Sequence, residues 1–282
     1  MNAMTNMTPA AVADTHDRPK VQLKDVVVEF ASRALRVRAV DGIDIEVADR
    51  SFTALVGPSG CGKSTVLNMV AGLLNPTQGT VAYDGKPVAG PNVRVGYMTQ
   101  KDTLLPWRTV EDNIGIAFEL ACRRIPKPEQ RDRVREIIEL VGLKGFEKHY
   151  PSELSGGMRK RAAFARMLIY EPETLLLDEP FGALDAQLRL IMQQELLRLV
   201  ERRQMTVILV THDLEEAIAM ADRVLVFTSR PGRIRASRAI PFERPRDPVT
   251  LRFRPEFGKI YEELWNELKD EMAHGTETGL DT

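Results

Sequence analysis

One short stretch constrains this chain more than any other: "GPSGCGKST", Gly57 to Thr65. It fits the spacing G-x-x-x-x-G-K-[ST], which average composition produces by chance in roughly one chain in a hundred of this size. The apolar run "FTALVG" precedes it and "KSTVLNMVAGLL" follows, with Val66, Met69, Val70 and Leu73 on one helical face. Strand, glycine loop and helix in that order are the context in which such a loop cradles phosphate. Gly57, Gly60 and Gly62, with Pro58, Ser59 and Cys61 between them, let backbone N–H groups converge on phosphate oxygens. The helix N-terminus adds the positive end of its dipole. Lys63 supplies a point charge for the β- and γ-phosphates, Ser64 a hydroxyl for Mg²⁺, and Thr65 closes the motif. Cys61 reads as a small residue filling the loop rather than as a nucleophile. The stretch therefore predicts a nucleoside triphosphate site.

Four further residues fall where apolar strands run out. "LLLDEP" places Asp178 and Glu179 just after buried leucines, and the carboxyl ends of parallel strands face the ligand crevice. Asp178 is expected to hold Mg²⁺ and Glu179 to polarise an attacking water. His212 follows "VILVT" and is expected to touch the γ-phosphate. Gln100 ends "VGYMTQ", with an amide suited to Mg²⁺ and to positioning the water.

The remaining pattern alternates strands with helices. "KVQLKDVVVEF", "RAVDGIDIEV", "GTVAYDGKPV", "RVGYMTQ", "ETLLLDEP", "TVILVTHD" and "RVLVFTS" read as strands. "RDRVREIIELVGL" carries Val134, Ile137, Ile138 and Val141 at helical spacing, and "AQLRLIMQQELLRLVERR" and "LEEAIAMAD" read as helices. This order predicts an α/β fold with a mainly parallel sheet and a helical subdomain inserted at about 103–170. The expected division is a loose leader over 1–19, the main domain over 20–254, an amphipathic helix over 255–273 and a flexible tail over 274–282. From Arg230 to Arg254 eight arginines stand against two acids, which reads as a solvated face, with an apposition to membrane or permease as the alternative.

Bulk properties exclude several classes. The formal net charge is -1, so no basic field points to nucleic acid. Cys61 and Cys122 are the two cysteines, which implies no disulfide framework. No run approaches 18 apolar residues, the length expected of a membrane-spanning helix. The N-terminal stretch lacks the apolar segment of a signal peptide.

In this order the motifs resemble those of the ATP-binding subunit of ABC transporters over about residues 21 to 230. "GPSGCGKST" resembles Walker A, Gln100 the Q-loop glutamine, "LSGGM" the family signature, "LLLDEP" Walker B, "GALD" the D-loop and "VTHD" the switch histidine. The resemblance implies a P-loop NTPase with a RecA-like, mainly parallel core sheet, an antiparallel β subdomain and the helical insertion. It implies ATP and Mg²⁺ as ligands, with Ser64, Gln100 and Asp178 at the metal and Glu179, His212 and Gln100 in catalysis. Phe30 is the match for the aromatic that stacks on adenine.

By the same resemblance Ser155, Gly156 and Gly157 form a second phosphate cradle for ATP held by a partner's Walker A loop, and Asp185 communicates across that interface. The partner is a second ATP-binding subunit, a copy of this chain or a similar one. Met158 stands where glutamine is usual, which removes a donor to the partner's ribose. Arg50 replaces a common glycine. "TLLPWRTVEDNI" and "PFERPRDP...FRPEFGKIYEELW" are similar to the branch that takes up nitrate, sulfonate, taurine and bicarbonate. That similarity implies an importer's energy-coupling ATPase, peripheral at the cytoplasmic face of the inner membrane. A separate permease would dock near Leu104, Leu105, Pro106 and Trp107, and a solute-binding protein would act indirectly. The competing expectation, an ABC ATPase acting on nucleic acid or ribosomes, lacks the second ATPase unit or coiled-coil insertion typical of that group.

Overall fold

The structure, a computed structural model, describes residues 18–31, 36–120 and 125–277. Residues 1–17 of the expected leader, and Cys122, lie outside the described residues. The chain begins with β1 (Val21–Ala31) and β2 (Arg36–Val47), an antiparallel pair. β3 (Phe52–Val56) leads into the glycine loop and α1 (Lys63–Val70). β4 (Gln78–Tyr83) and β5 (Lys86–Pro87) return to the first pair, giving a sheet of order β2-β1-β4-β5.

β6 (Val95–Met98) precedes the helical subdomain: α2 (Val110–Leu120), α3 (Lys127–Leu140) and α4 (Gly156–Leu168), which pack on one another. The core then resumes with β7 (Thr174–Asp178), α5 (Ala186–Arg203), β8 (Thr206–Val210), α6 (Leu214–Met220) and β9 (Arg223–Phe227). β10 (Ile234–Ala239), α7 (Pro248–Leu251) and α8 (Pro255–Glu277) follow. The second sheet has the order β10-β9-β3-β8-β7-β6. Its β9, β3, β8, β7 and β6 are parallel, and β10 runs antiparallel at the edge.

The period of two along these strands builds two cores at once. Phe52, Ala54 and Val56 of β3, Leu175 and Leu177 of β7, and Val207 and Leu209 of β8 face the core shared with α4, α5 and α6. The residues between them, Leu55, Leu176, Ile208 and Val210, face α1 and the antiparallel sheet. Each fully buried Leu, Ile or Phe contributes about 1.5–3 kcal/mol over its exposed state. A strand covered on both faces must be apolar throughout, which is why "FTALV" and "TLLLD" read as unbroken runs.

Two expectations for the C-terminal region are corrected. The helix expected over 255–273 continues to Glu277, so 274–277 are not a loose tail; Gly275 lies within it, since one glycine costs a helix only about 1 kcal/mol. Nor are the arginines after 230 a solvated face. Arg246 is buried and donates to the carbonyls of Phe242 and Ala221, at 2.9 Å and 2.6 Å. Arg244 pairs with Asp222, Arg252 with Glu215, and Arg235 and Arg238 with Glu267 of α8. The guanidinium fork suits such multiple acceptors, and here it fastens β10 and the segment before α7 to the core. Arg50 takes the left-handed backbone (φ 56°) that glycine would adopt there, with its N–H donated to Thr206 Oγ1.

Candidate functional site

The glycine loop lies between the end of β3 and the start of α1. Gly62 caps α1 with φ 104°, and a Cβ there would stand 2.7 Å from Val40, so this corner requires glycine. The Lys63 ammonium is buried and donates to the carbonyls of Gly57 and Pro58, at 2.8 Å and 2.7 Å. Those bonds hold the cation over the loop's own concavity. A cavity of about 440 Å³ opens there, lined by Phe30, Ser59, Gly60, Lys63, Ser64 and Thr65 on one side and Gln100, Asp178 and Glu179 on the other. Phe30 is 47% exposed at its mouth, next to Val37 and Ala39.

β7 and β8 are parallel neighbours, so their ends lie side by side. Asp178 is buried against Ser64, with which it shares a hydrogen bond. Burial pushes its carboxyl above the ordinary range, opposed by that hydrogen bond and by the Lys63 and Lys160 cations. Glu179 sits in the left-handed region (φ 48°), an uncommon place for a non-glycine residue, and its N–H donates to Val210. Its carboxylate is held from two sides: Gln100 Nε2 donates to Oε2 at 3.1 Å, and His212 Nδ1 lies 3.3 Å from Oε1.

The two cradles differ in character. Ser155 caps α4, its Oγ accepting the Met158 N–H at 3.2 Å. A Cβ on Gly156 would meet only the Arg159 guanidinium, at 3.9 Å, while one on Gly157 would come within 3.2 Å of Leu184. Neither glycine has the positive φ that would by itself require one. The bare backbone at Gly156 thus answers no packing need within this chain. Ser155 and Asp185 are both exposed, Asp185 capping α5 through Leu188. Met158 turns its side chain onto the core beside α4.

Three residues of this region escaped the motif reading. Lys160 of α4 is buried and donates to the Gln100 carbonyl, tying the helix after Ser155 to the Q-loop segment. Glu216 lies beneath the His212 loop and accepts from Thr211 Oγ1 at 2.8 Å. Arg230, which also lines the cavity, reaches the Gly60 carbonyl at 3.0 Å. The apolar cluster also needs revision: Leu104 belongs to the core, whereas Trp107 is 70% exposed. Asn113 fixes the segment between them, bonding the N–H and carbonyl of Leu105 and the carbonyl of Arg108.

Comparison with known proteins bears on this arrangement. Residues 40–182 match the ABC transporter family, just over half of the chain. An uncharacterized ABC transporter ATP-binding protein of Methanocaldococcus jannaschii is 46% identical over 258 residues, 91% of this chain and 94% of its own length. The chain belongs to the ABC transporter family. Among this ATPase's relatives is the aliphatic sulfonates import ATP-binding protein SsuB of Bacillus licheniformis, 42% identical over 236 residues, 83% of this chain and 91% of that protein. An ATP-binding cassette solved as a dimer in a post-hydrolysis state, bound to ADP and Pi, superposes with a TM-score of 0.73. It is 28% identical and covers 79% of this chain and 100% of its own. The ABC ATPase fold, with its parallel core sheet and antiparallel sheet, is therefore shown, and with it ATP binding and hydrolysis. Among the described residues no helix of the ABC ATPase is long and apolar enough to cross a membrane.

Proposed function

We propose that this ATPase powers an importer of small anionic solutes, sulfonates foremost, through a separate permease. The observation that carries the chemistry is the Glu179 carboxylate held between Gln100 and His212 at the strand ends facing Lys63. A carboxylate so oriented is placed to accept a proton from water attacking the γ-phosphate, while His212 fixes its orientation and meets the transferred group. Lys63 and the loop amides bind the phosphates, and Phe30 receives the adenine. Asp178, Ser64 and the Gln100 amide oxygen are hard oxygen donors of the kind Mg²⁺ takes, and they would hold it. When bound, the metal neutralises charge developing on the phosphate oxygens.

Ser155, Gly156 and Gly157 act on the nucleotide of a second subunit. The Ser155 oxygen caps its own helix, which leaves its O–H proton for a phosphate, and the unoccupied space at Gly156 suits close approach of that phosphate. A dimer is supported by the dimeric cassette to which this chain is similar. Permease docking is supported by an apolar groove of about 480 Å³ between β6 and the helical subdomain, lined by Val93, Tyr97, Leu105, Ile116 and Tyr170, with Trp107 nearby in the chain. Such a subunit works at the inner face of the membrane without crossing it. The sulfonate reading is supported by the similarity to the SsuB proteins. Its test is uptake of labelled aliphatic sulfonate, nitrate and bicarbonate by cells carrying the chain with its permease. Uptake of none of these in an ATP-dependent manner would sink the solute assignment.

A further inference from the structure

The loop between β9 and β10, "SRPGR" (Ser229 to Arg233), lies against the phosphate loop, and its Arg230 also lines the cavity around Lys63. Arg230 Nε and Nη2 donate to the Gly60 carbonyl at 3.2 Å and 3.0 Å. Two residues on, Gly232 is pressed against the next carbonyl: a Cβ there would stand 1.9 Å from the Cys61 oxygen. The Gly232 N–H and carbonyl are both taken, by Ala39 and by the Asp41 N–H, each at 3.0 Å, so this backbone cannot withdraw cheaply. Arg233 adds an ion pair to Asp41.

The consequence follows from peptide geometry. A trans peptide unit is planar, with its C=O and N–H on opposite sides. The carbonyls of Gly60 and Cys61 both face the strap, so the N–H groups across those same planes, of Cys61 and Gly62, point away from it. Free in solution a glycine-rich loop samples many orientations of these units. Here a guanidinium and a close glycine contact select one of them.

The strap is itself anchored at a distance. Glu271 of α8 accepts the Ser229 N–H at 2.9 Å and the Ser229 hydroxyl at 3.3 Å, and its other oxygen pairs with Arg235 at 2.5 Å. A continuous chain of contacts thus runs from α8 through Glu271, Ser229 and Arg230 to the carbonyl of Gly60.

We infer that Arg230 is a positioning residue that pre-orients the phosphate-binding amides, and that α8 sets nucleotide affinity through Glu271. This rests on Gly57–Thr65 being the loop that holds the phosphates. Binding affinity, more than the chemical step, is the quantity at stake, because Arg230 bonds the loop backbone at Gly60 while Glu179 is held independently by Gln100 and His212.

The test is equilibrium titration of the full chain with ATP and with ADP, alongside steady-state hydrolysis. Arg230→Ala weakens both nucleotides about tenfold, the scale of a lost hydrogen bond to a charged group. It raises KM by a similar factor while kcat stays within about twofold. Arg230→Lys, which keeps one charged donor, recovers part of the loss. Glu271→Gln weakens binding by a few fold, and the double variant Arg230→Ala with Glu271→Gln binds no worse than Arg230→Ala alone, since both lie on one path. Melting temperatures show that each variant is folded. A folded Arg230→Ala chain with wild-type affinity overturns the strap's role, and losses that multiply in the double variant overturn the link to α8. Lys63→Ala in the same titration separates the premise: if it leaves ATP binding intact, the loop assignment itself falls.

Discussion

Oε1 of Glu179 lies 3.3 Å from Nδ1 of His212, and the two residues end neighbouring parallel strands more than thirty residues apart in the chain. Because β7 and β8 are in register from Thr174↔Thr206 to Asp178↔Val210, their ends must coincide. Glu179→Gln keeps the shape and the Gln100 contact but cannot take a proton. Phosphate release falls by about 10² or more, the usual worth of a general base, while ATP remains bound in a stable dimer. Steady-state phosphate release and size-exclusion chromatography with ATP measure both. Unimpaired turnover would remove Glu179 from its role.

Ser155→Arg fills the space that Gly156 leaves open with a bulky cation on an exposed helix start. ATP binding by the isolated chain is unchanged, because Ser155 does not line the cavity around Lys63, whereas hydrolysis stops. Binding measured on the monomer and phosphate release measured at high protein concentration separate the two. Continued hydrolysis would contradict a cradle acting across the dimer.

Glu216 gives a pH signature. Burial pushes its carboxyl up to about 8; Asp213 and Glu179 add to the rise, and Thr211 and Arg189 oppose it. The folded chain thus keeps a proton that the unfolded chain loses near its ordinary value of 4.5, so stability falls as pH rises from there to about 8 and is level beyond. Glu216→Gln flattens that fall and raises Tm at pH 8 relative to wild type, with little change at pH 5. Melting curves at the two pH values decide it; parallel curves would show that the carboxyl is already charged when folded.

Arg246→Ala strips donors from the carbonyls of Phe242 and Ala221 in a buried setting. Leaving such groups unpaired costs about 1–3 kcal/mol, so the urea midpoint shifts down by roughly 1 M for m near 2 kcal/mol/M. An unchanged midpoint would mean that the segment before α7 is not integral to the domain.

The phosphate loop was legible because its chemistry is local: spacing, preceding strand and following helix all lie within about twenty residues. Asp178, Glu179 and His212 were legible because a buried parallel strand is apolar to its last residue, so the first polar side chain marks the sheet's edge. What remained hidden depends on partners distant in sequence. The arginines of 230–254 resemble a solvated run until their acceptors, among them Gly60, Asp222 and Glu267, are seen in space. β10 escaped because "IRASRA" alternates small and charged residues with little apolar pattern, its place being fixed by pairing with β9. Glu216 sits in "HDLEEA", where acids near a helix start ordinarily face water.

The strand order also sets a timetable for synthesis. β3, which carries the phosphate loop, is flanked in the sheet only by β8 and β9, and both come from the last third of the chain. At about 5–20 residues per second, a ribosome leaves that strand without either neighbour for many seconds after it has emerged. The nucleotide site is written early in the message and assembled late, so an interrupted chain ending before β8 would carry the whole phosphate loop and have no sheet to mount it on.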